Sequence, residues 1–503
     1  NKIGNMNKRI LTIVIAALTL MGGKASAQTE NYPHDNFYWL TQINKASLLM
    51  NPTVGLLDKD SAAVYGRALE KVIQEHAAPD ANRPANVVEL ETMIVEHSSP
   101  YATAIHVGRS SQDMFATARM AIVRENLLEL ADNLNELIAT MLQMSEQYKE
   151  VVVPEFTNGV VAQPNSLGHV ILAYCNAFMR DLDRVREFYN RVDMCPMGTG
   201  VLNGSSWPLD RKMMASYLGF SKVADNAFDA NQIRSSEIMP EAGYVCSSIA
   251  LHAGEIMADL VRQYSQPLPW FLLKEGNGNT YASSAMPQKR NPGIINSTRV
   301  MASEILGAAQ TTLFRQHNLP AGMADGRGFM SDIVPNTAQC VKMVNRVLNA
   351  LDIFPDRALE ALKGDWSTSE ELADCLMREY HVPFRTGHHY CSEIVGFAKQ
   401  HNYNPSNFPY KEAKRLYKEV VAMVKGLPAE LPYSEKEWRE KLDPVHMVQS
   451  RVISGGPQLR EMNRLLTEAK ALHRTYMDWT DTRKQALADA DRKLQDDFQS
   501  LIK

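Results

Sequence analysis

Residues 275–292 bring small, hydroxyl-bearing, cationic and amide side chains together over a short stretch of chain. Two glycines near its start permit a loop that can move, and the adjacent hydroxyls of Ser283 and Ser284 follow them. Lys289 and Asn291 come next, and an ammonium and an amide can both donate hydrogen bonds to an oxyanion. The closing proline suits the first turn of a helix, where free N–H groups also attract carboxylates. The segment therefore predicts a binding site for a dicarboxylic acid.

The same segment carries a resemblance to a known family. Residues 282–292 resemble the G-S-S-x-M-P-x-K-x-N-P signature of the fumarase/aspartase superfamily, and every fixed position matches except the first, where Ala282 replaces glycine. The resemblance implies a reversible β-elimination that releases fumarate from a substituted succinate, and we expect no cofactor and no metal. It implies that Ser283 is the base, acting as an alkoxide on a carbon acid. It also implies that the carboxylate is held by Ser284, Met286, Lys289 and Asn291.

Two further stretches resemble the argininosuccinate lyase branch of that superfamily. His106–Asp113 is similar to the branch motif H-T-G-R-S-R-N-D, and Thr157–Pro164 is similar to T-H-L-Q-x-A-Q-P. Met197–Gly204 is a weaker match in the same order. The resemblance implies that the rest of the carboxylate cradle consists of Arg109, Ser110, Ser111, Gln112 and Thr157. Ser110 and Asp113 also fit a capping box at a helix start, so a structural role for Ser110 is equally open.

The chain departs from the branch at its His–Glu pair. The histidine of the second motif falls on Asn158, and the glutamate that pairs with it falls on Asn296. Two amides can hydrogen-bond to each other. We therefore predict that the two positions were replaced together and that the side chains of Asn158 and Asn296 meet across subunits. An amide cannot donate a proton near neutral pH. His106 is our candidate for the missing acid, but it also fits a structural role, and a cationic amine or water-mediated transfer would need no such residue.

The residues expected around the amine also differ from the branch. The second motif loses its Gln to Val160, and the R-N pair of the first becomes Ser111-Gln112. Residues 319–327 stand where the branch has Y-N-R-D-L-Q-E-D-K, whose Tyr, Gln and Lys contact the amino-acid end, and only Arg327 keeps a positive charge. We therefore expect a substrate other than argininosuccinate: an N-substituted aspartate, or an aminopolycarboxylate such as those of the similar ethylenediamine-disuccinate lyases. A retired lyase with a binding or structural role, a true argininosuccinate lyase and a carbon–oxygen lyase are the alternatives.

Helical periodicity dominates the elements that must position these residues. Apolar residues recur by fours and threes from Val123 to Met144, and we find no convincing run of alternating strands. The pattern predicts a mostly α chain around a long central helical bundle. The resemblance implies a three-domain lyase fold that forms a homotetramer, with each site built from three subunits. We place the boundaries at 1–27 for a signal peptide, 28–117, 118–375 and 376–503.

The first residues have the order of a secretory signal peptide. Lys8 and Arg9 precede the apolar run Ile10–Met21, and Ala25-Ser26-Ala27 follows it. We expect cleavage before Gln28 and an exported, periplasmic chain with no stable membrane anchor. The formal net charge of −4 gives no reason to expect nucleic acid as a partner. The six cysteines show no metal-binding spacing. The partner that we expect is a small dicarboxylate or amino-acid substrate, as the segment at residues 275–292 indicates.

Overall fold

A computed structural model describes residues 34–78, 80–323 and 328–503. The predicted signal peptide and Arg327 lie outside these residues. The described chain is mostly helical, as predicted. Before the bundle it contains α1 Asn36–Thr53, α2 Lys59–Glu75, α3 Val87–Glu96 and a short 3-10 helix, Pro100–His106.

Five long helices form the central bundle: α4 Ser111–Gln147, α5 Leu167–Val192, α7 Arg234–Tyr264, α8 Gly293–Gln316 and α9 Ile333–Asn349. The apolar stripe of α4 is buried, as its periodicity predicts: Val123, Leu127, Leu130, Leu134, Leu137 and Met141. Two short helical elements lie between α5 and α7, the helix α6 Arg211–Tyr217 and a π-helical turn, Asp229–Ile233.

The directions of these helices follow from a few contacts. The Asp113 carboxylate, in the first turn of α4, accepts a hydrogen bond from Gly200 N at 3.1 Å. Gln232, just before α7, donates to Val201 O at 3.1 Å, so α4 and α7 begin at the same end of the bundle. The chain after α8 returns to that end, where Gly322 N donates to Gln232 at 3.0 Å. Helices α7 and α8 are therefore antiparallel.

Helices α7 and α8 pack closely at Gly243. A Cβ atom at this position would lie 2.7 Å from Thr312 Oγ1, whereas nothing lies within 4 Å of a Cβ at Gly254 on the same helix. We expect Gly243→Ala to lower the free energy of unfolding by about 1–3 kcal/mol through overpacking. Gly254→Ala should raise it by about 0.5–1 kcal/mol, because alanine is the better helix former. Urea unfolding measures both, and equal effects of the two substitutions would contradict this packing.

The chain also forms short strands, which the sequence pattern did not reveal. The described residues contain four two-stranded sheets, the largest being the antiparallel hairpin of β1 Val152–Thr157 and β2 Val160–Ser166. Its turn, Asn158-Gly159, has φ of 53° and 78°, the left-handed values that Asn-Gly turns adopt. The other strands are β3 Met194–Cys195 with β4 Lys222–Val223, β5 Phe271–Leu273 with β8 Leu351–Ile353, and β6 Tyr281–Ala282 with β7 Arg290–Asn291.

The residues after the bundle pack in two places. A separate hydrophobic cluster runs from Leu372 to Leu442, whereas the last helix returns to the bundle core. There Asn135 Nδ2 donates to Thr480 Oγ1 at 3.1 Å. Residues 376–503 therefore do not pack as one unit, and the predicted boundary at 117 falls inside α4. The helices are α10 Pro355–Lys363, α11 Ser369–Tyr380, α12 Phe384–His401, α13 Tyr410–Val421, α14 Glu435–Lys441, α15 Pro444–Gln449 and α16 Leu459–Ile502.

All six cysteines are buried and free in the part of the chain that the structure describes. Burial raises the pKa of Cys175 and Cys246 to about 12, so both remain protonated thiols at neutral pH. Within the same residues, no helix combines the length and apolarity that a bilayer crossing requires.

Candidate active site

Ser283 lies on an exposed hairpin formed by β6 and β7. Tyr281 pairs with Asn291, Ser283 N donates to Lys289 O at 3.2 Å, and the Asn291 amide donates to Tyr281 O at 3.3 Å. Arg290 Nε donates to Glu275 at 3.1 Å, which joins the hairpin to the glycine-containing loop before it. The residue types predicted to do the chemistry are thus held on one short, hydrogen-bonded element.

The Ser283 hydroxyl oxygen is surrounded by backbone donors. Ser283 Oγ accepts hydrogen bonds from Ala285 N at 3.3 Å and from Met286 N at 3.1 Å. Two N–H dipoles directed at one oxygen favour its negative form, because hydrogen bonds to a charged group stabilise that charge. The hairpin therefore favours an alkoxide at Ser283, which is what a serine base requires.

The rest of the predicted carboxylate clamp adjoins the same hairpin. Lys289 is exposed and Asn291 is half-buried, and Pro292 caps α8, which begins at Gly293. Ser284 and Met286 are exposed beside Ser283. A positive side chain, an amide and a helix N-terminus thus occur together next to the serine, an arrangement that suits a carboxylate gaining charge.

Ser110 and Asp113 form the capping box that starts α4. Ser110 Oγ accepts from Gln112 N at 3.3 Å, and Asp113 Oδ1 accepts from Ser110 N at 2.8 Å. The predicted capping box is thereby confirmed, and the contact of Ser110 with substrate stays a prediction. Ser111 and Gln112 are the first two residues of the helix and are partly exposed. Their contact with substrate stays a prediction.

Arg109 holds the motif against α1. Its guanidinium donates to Ser47 Oγ at 2.7 Å and to Asn44 Oδ1 at 3.1 Å, and burial lowers its pKa to about 10. The expected contact between Arg109 and substrate therefore has no support in this geometry, since the side chain is engaged within the protein. Arg109 instead fixes where α4 begins.

His106 ends the 3-10 helix beside Arg109. Burial, with the positive charge of Arg109, lowers the pKa of the His106 imidazole to about 4. The imidazole is therefore neutral where the protein is expected to work. This environment does not favour the proton-donor role that we considered for it.

The depressed pKa of His106 makes stability depend on pH. Its ordinary pKa is 6.5, so the unfolded chain binds a proton more readily than the folded protein between about pH 4 and pH 6.5. The contribution of His106 to stability is therefore present above this window and is lost as the pH falls through it. We expect His106→Gln to reduce the drop in Tm between pH 7 and pH 5. Identical drops in wild type and variant would contradict the assigned environment.

The two asparagines of the predicted pair lie on different elements. Asn158 and the adjacent Thr157 are exposed at the tip of the β1–β2 hairpin. Asn296 is half-buried in the first turn of α8, where its N–H donates to Pro292 O at 3.1 Å. Their hydrogen bond across subunits stays a prediction. Asn158 also carries a backbone role, because its left-handed φ forms the turn.

The site residues of one copy lie at opposite ends of the bundle. Gln112 is at the start of α4, where α7 also begins. The hairpins lie at the other end: Arg262, near the end of α7, stacks on Phe156 of β1 at 4.4 Å, and Tyr264 Oη accepts from Leu273 N of β5 at 2.7 Å. Since α7 has 31 residues, these ends, the Gln112 end and the Ser283 end, are about 45 Å apart. One copy alone cannot place both groups around one substrate.

The loop at residues 197–209 belongs to the Gln112 end, and the sequence motifs gave it only a weak match. Val201 has φ of 74°, which is exceptional for a β-branched residue. The Met-Gly-Thr-Gly stretch before it was the available signal, because glycine-rich turns mark close backbone packing.

Within residues 34–78, 80–323 and 328–503, no group of three His, Cys, Asp or Glu side chains is placed to hold a metal ion.

Comparison with known proteins agrees with this fold. The family model described as Lyase matches residues 58–307, and the one described as Argininosuccinate lyase C-terminal matches residues 366–449. A solved EDDS lyase variant with bound fumarate has a TM-score of 0.84 over 93% of this chain and 92% of its own, at 22% identity. The solved structure shows the fold, and the family models, with the argininosuccinate lyase relatives, define a carbon–nitrogen lyase of the fumarate-releasing class.

Curated relatives narrow that class to one family. Argininosuccinate lyase of Ehrlichia ruminantium (strain Welgevonden) is 30% identical over 372 residues, which cover 72% of this chain and 79% of the relative. Argininosuccinate lyase of Methanoculleus marisnigri is 29% identical over 490 residues, which cover 93% of this chain and 95% of the relative. The chain belongs to the argininosuccinate lyase family, a branch of the fumarase/aspartase superfamily.

Proposed function

We propose that this protein releases fumarate from an N-substituted aspartate by reversible β-elimination, with Ser283 as the base. The observation that carries the proposal is the pair of backbone N–H groups on Ser283 Oγ, on a hairpin that also bears Lys289 and Asn291. This pairing combines a hydroxyl prepared for ionisation with a clamp for a carboxylate.

The residues divide the reaction between two tasks. The Ser283 alkoxide takes the proton from the carbon beside a carboxylate, and the electron pair moves into that carboxylate to form a dianionic aci-carboxylate. Lys289 and Asn291 bind this group more strongly as its charge grows, which lowers the barrier. The electrons then return to form the fumarate double bond, and the carbon–nitrogen bond breaks.

The departing amine must gain its proton without the family's His–Glu pair. Asn158 and Asn296 cannot supply one, and the environment of His106 keeps its imidazole neutral. An amine that already carries an extra proton, or a water-mediated transfer, meets this requirement. Together with the altered residues 319–327, this supports a substrate other than argininosuccinate. The similarity to EDDS lyase supports an N-substituted aspartate or an aminopolycarboxylate.

Assembly into a homotetramer is part of the proposal. A complete site needs both the Gln112 end and the Ser283 end, which one copy holds about 45 Å apart. Helices α7 and α8 also expose large apolar side chains of the kind that subunit interfaces cover: Tyr244, Leu251, Val300 and Phe314. Light scattering on purified protein should give four times the chain mass, and a monomer retaining full activity would contradict this assembly.

We also propose that the mature protein is exported to the periplasm. The support is the order of charged, apolar and small residues at positions 8–27, which lie outside the described structure. Mass spectrometry of protein recovered from cells should find a chain that starts at Gln28. Recovery of uncleaved protein from the cytosolic fraction alone would contradict export.

A fumarate-release screen tests the proposed reaction. Mature protein incubated with N-substituted aspartates, aminopolycarboxylates and argininosuccinate should produce ultraviolet-absorbing fumarate from the first or second class and much less from argininosuccinate. Preference for argininosuccinate would overturn the substrate assignment and leave the reaction class intact. If no compound yields fumarate, the alternative of a retired lyase with a binding role is the better account.

A further inference from the structure

The loop at residues 197–209 packs on both sides of the α4 start. Its Gly200 N donates to Asp113, on one side of Ser111 and Gln112. On the other side, a Cβ at Gly108 would lie 2.9 Å from both the Leu209 side chain and Ser205 Oγ. The loop therefore borders Ser111 and Gln112, the partly exposed residues at the start of α4.

The loop is fixed by hydrogen bonds that outweigh backbone strain. Val201, at φ 74°, is held by Gln232 Nε2, which donates to its carbonyl. Asn231 Nδ2 donates to Thr199 Oγ1 at 3.0 Å, and Gly204 N donates to Thr199 O at 2.8 Å. Strained residues persist where the surroundings over-determine them, and they concentrate at functional sites. This loop is thus built to present particular side chains.

The same hydrogen-bonding residue connects the loop to the segment that follows α8. Gln232 donates to Val201 through Nε2 and accepts from Gly322 N through Oε1. Met323 is next in sequence and is 49% exposed. Three stretches, the α4 start, the 197–209 loop and residues 322–323, are therefore joined at the Gln112 end.

Charged side chains at this loop are used to hold its backbone. Arg211 donates to Met197 O at 2.9 Å and to Ala224 O at 2.7 Å. Asp210 accepts from Lys212 N at 3.0 Å and from Met213 N at 2.9 Å, which caps α6. The large side chains that the loop leaves exposed are apolar, namely Leu202 at 45% and Trp207 at 51%.

We propose that Leu202 and Trp207 form the amine side of the substrate site and select an aspartate whose nitrogen carries an apolar group. This inference rests on the proposed function and adds the chemical class of the amine. Both side chains stand on the loop that packs against the α4 start, where Ser111 and Gln112 lie, and in the proposed assembly the Ser283 hairpin of another copy holds the reacting carboxylate. An apolar substituent gains from contact with these side chains, whereas a charged one would lose water without gaining a partner.

The test compares two substrates that differ only on nitrogen, N-benzylaspartate and N-methylaspartate. Wild type should have the higher kcat/KM for N-benzylaspartate. Trp207→Ala and Leu202→Ala should each lower kcat/KM for N-benzylaspartate by about 10-fold or more, and change that for N-methylaspartate by less than about 3-fold. Trp207→Phe should keep most of the preference. Met423→Ala, at an apolar side chain that follows α13 and is 86% exposed, serves as the control.

Other outcomes separate this inference from the function on which it rests. Equal losses on both substrates, or no loss, would overturn the inference while the fumarate-releasing activity stands. Dissociation of the oligomer in Trp207→Ala, seen by light scattering, would assign the residue to a subunit interface and also overturn it. Failure of wild type to release fumarate from either aspartate or from any compound of the wider screen would contradict the proposed function itself.

Discussion

Ser283→Ala should lower kcat for fumarate release by about 10²–10⁴-fold, the range that a positioned general base contributes. The substitution removes the oxygen on which Ala285 N and Met286 N converge and leaves both donors on the hairpin. Because the hairpin is exposed and held by backbone hydrogen bonds, we expect Tm to change little. Substrate binding should persist, since the clamp residues are unchanged.

A matched serine gives the control for this experiment. Ser392 is exposed on α12, and its hydroxyl donates to His388 O at 3.1 Å. Ser392→Ala should leave fumarate release unchanged within error. Equal activity of wild type and Ser283→Ala would remove Ser283 from the mechanism, and equal losses in both serine variants would attribute the effect to protein quality.

Lys289→Met should lower kcat by about 10²–10³-fold, the usual loss when one donor to a developing oxyanion is removed. Methionine keeps the apolar length of the side chain and removes its charge. The effect should fall on kcat more than on KM, because the aci-carboxylate carries one more negative charge than the bound substrate. Steady-state kinetics on an accepted N-substituted aspartate measure both parameters.

Two further substitutions test whether the positive charge at position 289 is responsible for this loss of kcat. Lys289→Arg keeps a positive charge with a different shape, so its loss should be smaller than that of Lys289→Met. Lys436→Met, at an exposed lysine of α14, should have no effect. If Lys289→Met raised KM alone and left kcat unchanged, the ammonium would bind the ground state and transition state equally, contrary to the proposed mechanism.

The sequence predicts the bundle because apolar residues recur with the period of an α-helix and so mark the face that is buried. The stripe from Val123 to Met141 is buried along α4, and α8 begins at Gly293, directly after the proline that was expected near a helix start. The hairpin turn at residues 158–159 was missed although Asn-Gly is a strong signal for such turns. The family histidine aligns with that position, and its side-chain chemistry gives no indication of the backbone role of Asn158.

Other features could not be obtained from spacing. The engagement of Arg109 by Asn44 and Ser47 depends on α1, which lies far away in the sequence. The left-handed Val201 contradicts residue preference and is held only by tertiary hydrogen bonds. The return of α16 to the bundle likewise depends on which faces remain uncovered after the chain has folded. The local sequence pattern predicts that such elements form, but not which other elements they pack against.

The separation of the site residues along the bundle gives the most direct test of the account. Gln112→Glu would place a carboxylate where the substrate carboxylate should lie, and Ser283→Ala removes the base, so each variant alone should be inactive. The two substitutions are at opposite ends of one copy. In mixed oligomers, some sites would receive Gln112 from one copy and Ser283 from another.

The decisive measurement is fumarate release after the two inactive variants are unfolded together and refolded as a mixture. Activity should return to about a quarter of wild type, because each of the two intact residues reaches a given site with a chance of about one half in a random closed assembly. Each variant refolded alone should stay inactive. A mixture that forms oligomers but remains inactive would contradict a shared site in which Ser283 is the base.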